Sequence, residues 1–191
     1  MSRCQVDLDL AGWQMEEVLA AMQVPFPELT ELWLTSDLET VPVIPDSFLG
    51  RFAPRLREFH LDGISVPRLP NLLLSTTHLV ALGLINIPHS GYISPEAIVA
   101  LISVLSRLET LYIVFQSPQS RPDGETRPPP SKRSVIPALT SLHFKGVIEY
   151  SEDLVNHIDT PQLDDLRITL FNHIDFDILR LAQFINRTPK L

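Results

Sequence analysis

Phe26-Pro27-Glu28-Leu29-Thr30-Glu31-Leu32-Trp33-Leu34 is the stretch whose reading decides the fold. Leu29, Leu32 and Leu34 form a phrase of leucine, two residues, leucine, one residue, leucine. It returns, with apolar swaps, as Leu56/Phe59/Leu61, Leu79/Leu82/Leu84, Leu108/Leu111/Ile113, Leu139/Leu142/Phe144 and Leu163/Leu166/Ile168. A weaker copy opens at Val6 and Leu8, with Arg3 in the place of the first leucine. The first leucines stand 27, 23, 29, 31 and 24 residues apart. Self-similarity at a period of about 20–30 residues marks stacked repeats that bury a shared core.

The phrase ends in an alternation, so each copy predicts a short strand with one buried face. The segments between strands predict returns, several of them helical. Trp13–Gln23 carries Met15, Val18, Leu19 and Met22 on one face. Ser94-Pro95-Glu96 is a helix start, with a capping hydroxyl, a proline at the first helical position and an acid near the positive end. It leads into Ala97–Leu105. Two further helices are expected after Ser151 and over Leu179–Ile185, the latter preceded by Asp175 or Asp177. Pro45–Phe52 and Leu69–Thr76 are interrupted by proline and predict a turn or two. Pro27, Pro54, Pro137 and Pro161 each precede a first leucine by two residues, where they are expected to stop a helix and force an extended entry. The expected fold class is α/β: a solenoid with parallel strands on its concave face and helical or irregular returns on its convex face.

Composition narrows the functions. The 191 residues read as one domain, 1–191, of about seven repeats. An open C-terminal end is expected, since Pro189-Lys190-Leu191 begins the phrase again. The net charge of −8 argues against nucleic acid and weakly against an anionic membrane. One cysteine, Cys4, excludes an internal disulfide. With no apolar leader or membrane-length run, an intracellular setting, cytoplasmic or nuclear, is expected. Ser117–Ser134 holds five prolines and no apolar residue, which predicts a disordered loop inserted at 117–134.

The phrases beginning at Phe26, Ala53 and Pro137, with Ile87-Pro88-His89-Ser90-Gly91-Tyr92-Ile93-Ser94-Pro95-Glu96, resemble the leucine-rich-repeat region of fungal F-box-like proteins. That resemblance implies a leucine-rich-repeat horseshoe that presents a substrate to a cullin-type ubiquitin ligase, docked through an F-box. The repeats here carry no F-box, so a ubiquitin-ligase adaptor is an expected partner only of a longer form. One departure concerns the turns. The Asn or Cys that many such repeats place three residues after the last leucine is replaced by Asp37, Ile64, Ile87, Gln116, Val147 and Phe171. No asparagine ladder can run through the stack, and irregular stacking is expected.

Catalytic patterns are missing from the sequence. The six histidines make no HxxxH or HExxH spacing, and there is no phosphate loop or nucleophile elbow. His60 and His143 share the outward strand face, but three strands at about 4.8 Å each put them roughly 14 Å apart. No enzyme activity, cofactor or metal is expected. The outward column is the better candidate: Asp7, Trp33, His60, Gly83, Tyr112, His143 and Arg167. Aromatics on an exposed sheet are favoured anchors. Trp33, His60, Tyr112, His143 and Arg167, with Glu31, Glu58, Asp62 and Lys145 beside them, are the expected partner-binding residues on the concave face. Acids crowd the first repeats and Lys145 and Arg167 the last, so a protein partner with a basic stretch and an apolar centre would fit. The alternatives from other classes are a repeat fragment with no independent role and a horseshoe-type enzyme activator, such as a GTPase activator.

Overall fold

The computed structural model describes residues 4–37, 40–66, 73, 76–119, 132–171 and 179–191. Every phrase becomes a strand: β1 (Gln5–Leu10), β2 (Glu31–Ser36), β3 (Glu58–Asp62), β4 (Ala81–Ile87), β5 (Thr110–Phe115), β7 (Ser141–Gly146) and β9 (Asp165–Leu170). They form one seven-stranded sheet in that order. All six pairings are parallel. The two-residue strands β6 (Ser134–Val135) and β8 (Ile158–Asp159) make a separate parallel pair.

Successive strands therefore lie side by side, each reached by a return of its own. The returns include α1 (Gly12–Ala21), α2 (Pro95–Val104), α3 (Ile148–His157) and α4 (Leu179–Arg187). The core lies under one sheet face. Leu32, Leu34, Phe59, Leu61, Leu82, Leu84, Leu111 and Leu142 are buried in the same cluster as Met15, Leu19, Ile98, Ile102, Leu154 and Phe184 from the helices. All six phrase-opening leucines, from Leu29 to Leu163, are buried.

The strand entries repeat in detail. The carbonyls of Cys4, Thr30, Arg57, Val80, Glu109 and Thr140 each accept two successive amides from the next strand, such as Arg57 and Glu58 on Thr30. The prolines act differently from expectation. Pro27, Pro54 and Pro161 occupy the second position of four-residue turns, closed by the amides of Leu29, Leu56 and Leu163 on the carbonyls of Phe26, Ala53 and Thr160, each at 3.2 Å. A ring that holds φ near −65° suits that position, and it donates no hydrogen bond there.

Helix boundaries depart from the pattern in places. Ser94 caps α2 as read, its Oγ accepting from the Ala97 amide at 3.2 Å. The third helix starts at Ile148 rather than after Ser151, whose hydroxyl instead donates to the Ile148 carbonyl at 3.0 Å. The first spans Gly12–Ala21, shorter than Trp13–Gln23. Asp175 and Asp177, read as the start of the last helix, lie outside the described residues. Glu152 supplies the acceptors there, taking the Arg180 and Leu181 amides at 2.8 Å each.

The return after β2 contains a left-handed turn, with φ of 53°, 55° and 56° at Leu49, Gly50 and Arg51. The return at Leu69–Thr76 lies mostly outside the described residues. So does the proline-rich segment over 120–131. Its described ends are tied down: Gln119 Nε2 donates to the Ile87 carbonyl at 2.9 Å, and Ser134 pairs with Ile158 in the short sheet.

Without an asparagine ladder, the turns after the strands use other groups. Asp37 Oδ1 accepts from the Gly12 amide at 3.0 Å. The Gln116 and Phe171 amides reach back to the carbonyls of Ile87 and Gly146. One irregularity interrupts the ladder between β4 and β5, after Leu84. Among the described residues, no helix is long and apolar enough to cross a membrane.

Candidate functional site

The six ladders put Asp7, Trp33, His60, Gly83, Tyr112, His143 and Arg167 opposite one another in a single row. The row follows from phrase spacing: each residue stands between the two strand leucines of its copy, so it points away from the core. The neighbouring rows hold Gln5, Glu31, Glu58, Ala81, Thr110, Ser141 and Asp165 on one side, and Asp9, Thr35 and Asp62 on the other.

The centre of the row is aromatic. Trp33 stacks on His60 with ring centroids 3.7 Å apart and planes 17° apart. His60 leans across Gly83 towards Tyr112, whose ring centre is 6.2 Å away. Tyr112 in turn contacts His143 at 4.6 Å between centroids. His60 and His143 thus flank one tyrosine and are closer than strand spacing alone implies, because His60 fills the space that glycine leaves in β4. Among the described residues, no three His, Cys, Asp or Glu side chains are grouped to hold a metal ion.

Burial differs along the row. Trp33 remains 36% exposed while His60 is only 7% exposed. Burial pushes the His60 imidazole down to about 4, so it is neutral at pH 7. Its Nδ1 is buried and has no hydrogen-bond partner among the described residues. Tyr112 and His143 are half-buried, and Arg167 is exposed.

The far end of the row is a polar network. Asp165 Oδ2 accepts from Ser141 Oγ at 3.1 Å and lies 3.1 Å from His143 Nε2. Its Oδ1 accepts from Arg167 Nε at 3.1 Å. These bonds, that from His143 foremost, hold the Asp165 carboxyl below the usual range against an opposing effect of burial. Lys145 Nζ sits 5.2 Å from the centre of the Phe171 ring. Both cations expected to face a partner are therefore engaged within the protein.

The acidic end is arranged otherwise. Glu31 is buried and Glu58 half-buried, and the two are register neighbours. Asp62 Oδ1 accepts from Asn86 Nδ2 at 2.6 Å. Asp7 and Asp9 are exposed on β1 and have no ion-pair partner among the described residues.

Three contributors lie beyond the residues expected to bind. Asp165 organises His143 and Arg167, Gly83 gives His60 its place, and Phe171 holds Lys145. Position two residues before Arg167 on the same strand face was the available signal for Asp165. Nothing in the spacing distinguishes Gly83 as the site of a lean. No family model, curated protein or solved structure matches this chain.

Proposed function

We propose that the chain is a non-catalytic protein-recognition module: a leucine-rich-repeat horseshoe whose strand face is the concave, partner-binding surface. In this reading it resembles the substrate-binding region of an F-box-type ubiquitin-ligase receptor, and a ligase adaptor would be a partner only where an F-box is present in a longer form. The observation that carries the reading is the aromatic row Trp33, His60, Tyr112 and His143, register-aligned on the sheet face away from the core. Such side chains offer large contact area at low entropic cost, and the exposed acids at the β1 end would fix the orientation of a bound segment.

The test is capture of partner proteins on the immobilised chain, compared with Trp33→Ala and Tyr112→Ala combined. Circular dichroism and thermal unfolding establish that the variant folds. Loss of most specifically captured protein is expected. An unchanged set of captured proteins would remove the aromatic row from the binding surface.

A further inference from the structure

We propose that the β1 side of this face receives a guanidinium group from a basic segment of the protein partner, stacked on the free side of Trp33 and paired with Asp7 and Asp9. The inference rests on the recognition reading above and names the chemistry of the partner.

His60, on the β3 side, covers one face of the Trp33 ring. The other face is therefore turned towards β1, where Asp7 is its register partner and Asp9 stands beside Thr35. Adjacent strands are about 4.8 Å apart. His60 leans over Gly83 and Trp33 stacks on it at 3.7 Å, so the Trp33 ring follows His60 away from the Asp7 side. A planar cation over an indole within about 6 Å of its centre is attracted by the ring's electrons. A single carboxylate accepts the fork of an arginine side chain in a bidentate pair, and the second on the same strand face adds to the attraction.

The charge pattern favours the same occupant. The outward positions of β1, β2 and β3 include Asp7, Asp9, Glu31, Glu58 and Asp62 and no lysine or arginine. His60, kept neutral by burial, adds no competing positive charge at pH 7. At the other end, Arg167 donates to Asp165 and Lys145 lies over the Phe171 ring, whereas Asp7 and Asp9 have no ion-pair partner among the described residues. Two exposed carboxylates are too few for a calcium or magnesium site, which needs six or more oxygens, largely from water here.

The chain has two tryptophans, so its indole N–H signals report on Trp33 and Trp13 separately. The 15N-labelled full chain is titrated with an octapeptide alternating arginine and serine, then with its lysine and glutamate counterparts. A saturable shift of the Trp33 indole is expected with arginine, a weaker one with lysine and none with glutamate, while the Trp13 signal stays still. Asp7→Asn with Asp9→Asn should weaken arginine-peptide binding at least tenfold. Both residues are exposed, and the dispersion of the spectrum verifies the fold of the variant.

No saturable shift, or equal affinity in the double variant, would overturn the proposal. So would a Trp33 shift that grows with protein concentration alone, since a second copy would then cover the face. If the arginine titration fails while Trp33→Ala with Tyr112→Ala still abolishes capture, only the cation chemistry falls. If arginine binds Trp33 but capture is undiminished in that variant, the protein-recognition reading falls with it.

Discussion

Gly83 makes room for His60: a Cβ at position 83 would come within 2.2 Å of the imidazole Nδ1. Nothing in the backbone of β4 demands glycine there, because the atom in conflict belongs to a side chain that can move. Gly83→Ala should therefore keep the strand and expel the imidazole from its seat beside Trp33. Overpacking of this kind costs about 1–3 kcal/mol, read from the urea midpoint. The near-ultraviolet signal of Trp33 should change with it. Combined with His60→Ala, the same substitution should cost clearly less than the sum of the two, since the clash disappears. Additive costs would mean that His60 does not occupy this space in solution.

The same burial makes stability depend on pH. His60 is held near 4 in the folded protein against 6.5 in an unconstrained chain, so the unfolded state binds the extra proton between those values. The contribution of neutral His60 is present in full above about pH 6.5 and is lost as pH falls towards 4, below which both states are protonated. Urea unfolding at pH 7.0, 5.5 and 4.5 should show wild type losing stability faster than His60→Gln, which cannot titrate. Parallel curves would show that the imidazole is solvated. Arg167 and Asp165, at the far end of the row, are common to both proteins and cancel in the comparison.

Gly50 lies under a different constraint. Its φ is 55°, in the left-handed region, and an added Cβ would meet the Pro25 nitrogen at 2.5 Å. Backbone strain alone costs an L-residue about 1–2 kcal/mol there, and the contact with backbone leaves no cheap escape. Gly50→Ala should lower the unfolding free energy by at least that amount. The turn is remote in sequence from Trp33 and Tyr112, so the intrinsic affinity of the folded fraction should be unchanged. A neutral substitution would show that the turn relaxes to right-handed geometry.

The strands and their outward row were legible because alternation between two buried positions leaves no freedom in register: a slip of one residue would expose Leu32 and Leu34 and bury Trp33. Ser94 was legible because capping is local. Other features depend on distant partners. Ser151 resembles a cap by type, but the amides that begin α3 lie upstream of it, and its hydroxyl turns back to Ile148. Proline before a leucine reads as a helix stop, although at Pro27 and Pro54 it starts a turn. The lean of His60 over Gly83 joins residues 23 positions apart, and the phrase says only that they are neighbours. At the polar end, Lys145 and Arg167 read as free cations until Phe171 and Asp165 are placed beside them.

Glu152 and the start of α4 give the remaining prediction. The side chain is buried, and each carboxylate oxygen accepts one backbone amide, from Arg180 and Leu181. Among the described residues those amides have no acceptor within their own helix, and a negative charge is favoured beside amides of a first turn. Arg180 adds a second tie from the same turn, its Nη1 donating to Asp153 Oδ1 at 2.8 Å. Glu152→Ala leaves two part-buried amides without this acceptor and should cost about 1–3 kcal/mol. Glu152→Gln keeps one good acceptor and should cost less. Hydrogen exchange separates a local effect from a global one: the amides of α4 should lose protection before those of β2 and β3. Equal loss across the sheet would mean that Glu152 supports the whole stack rather than the docking of its last helix.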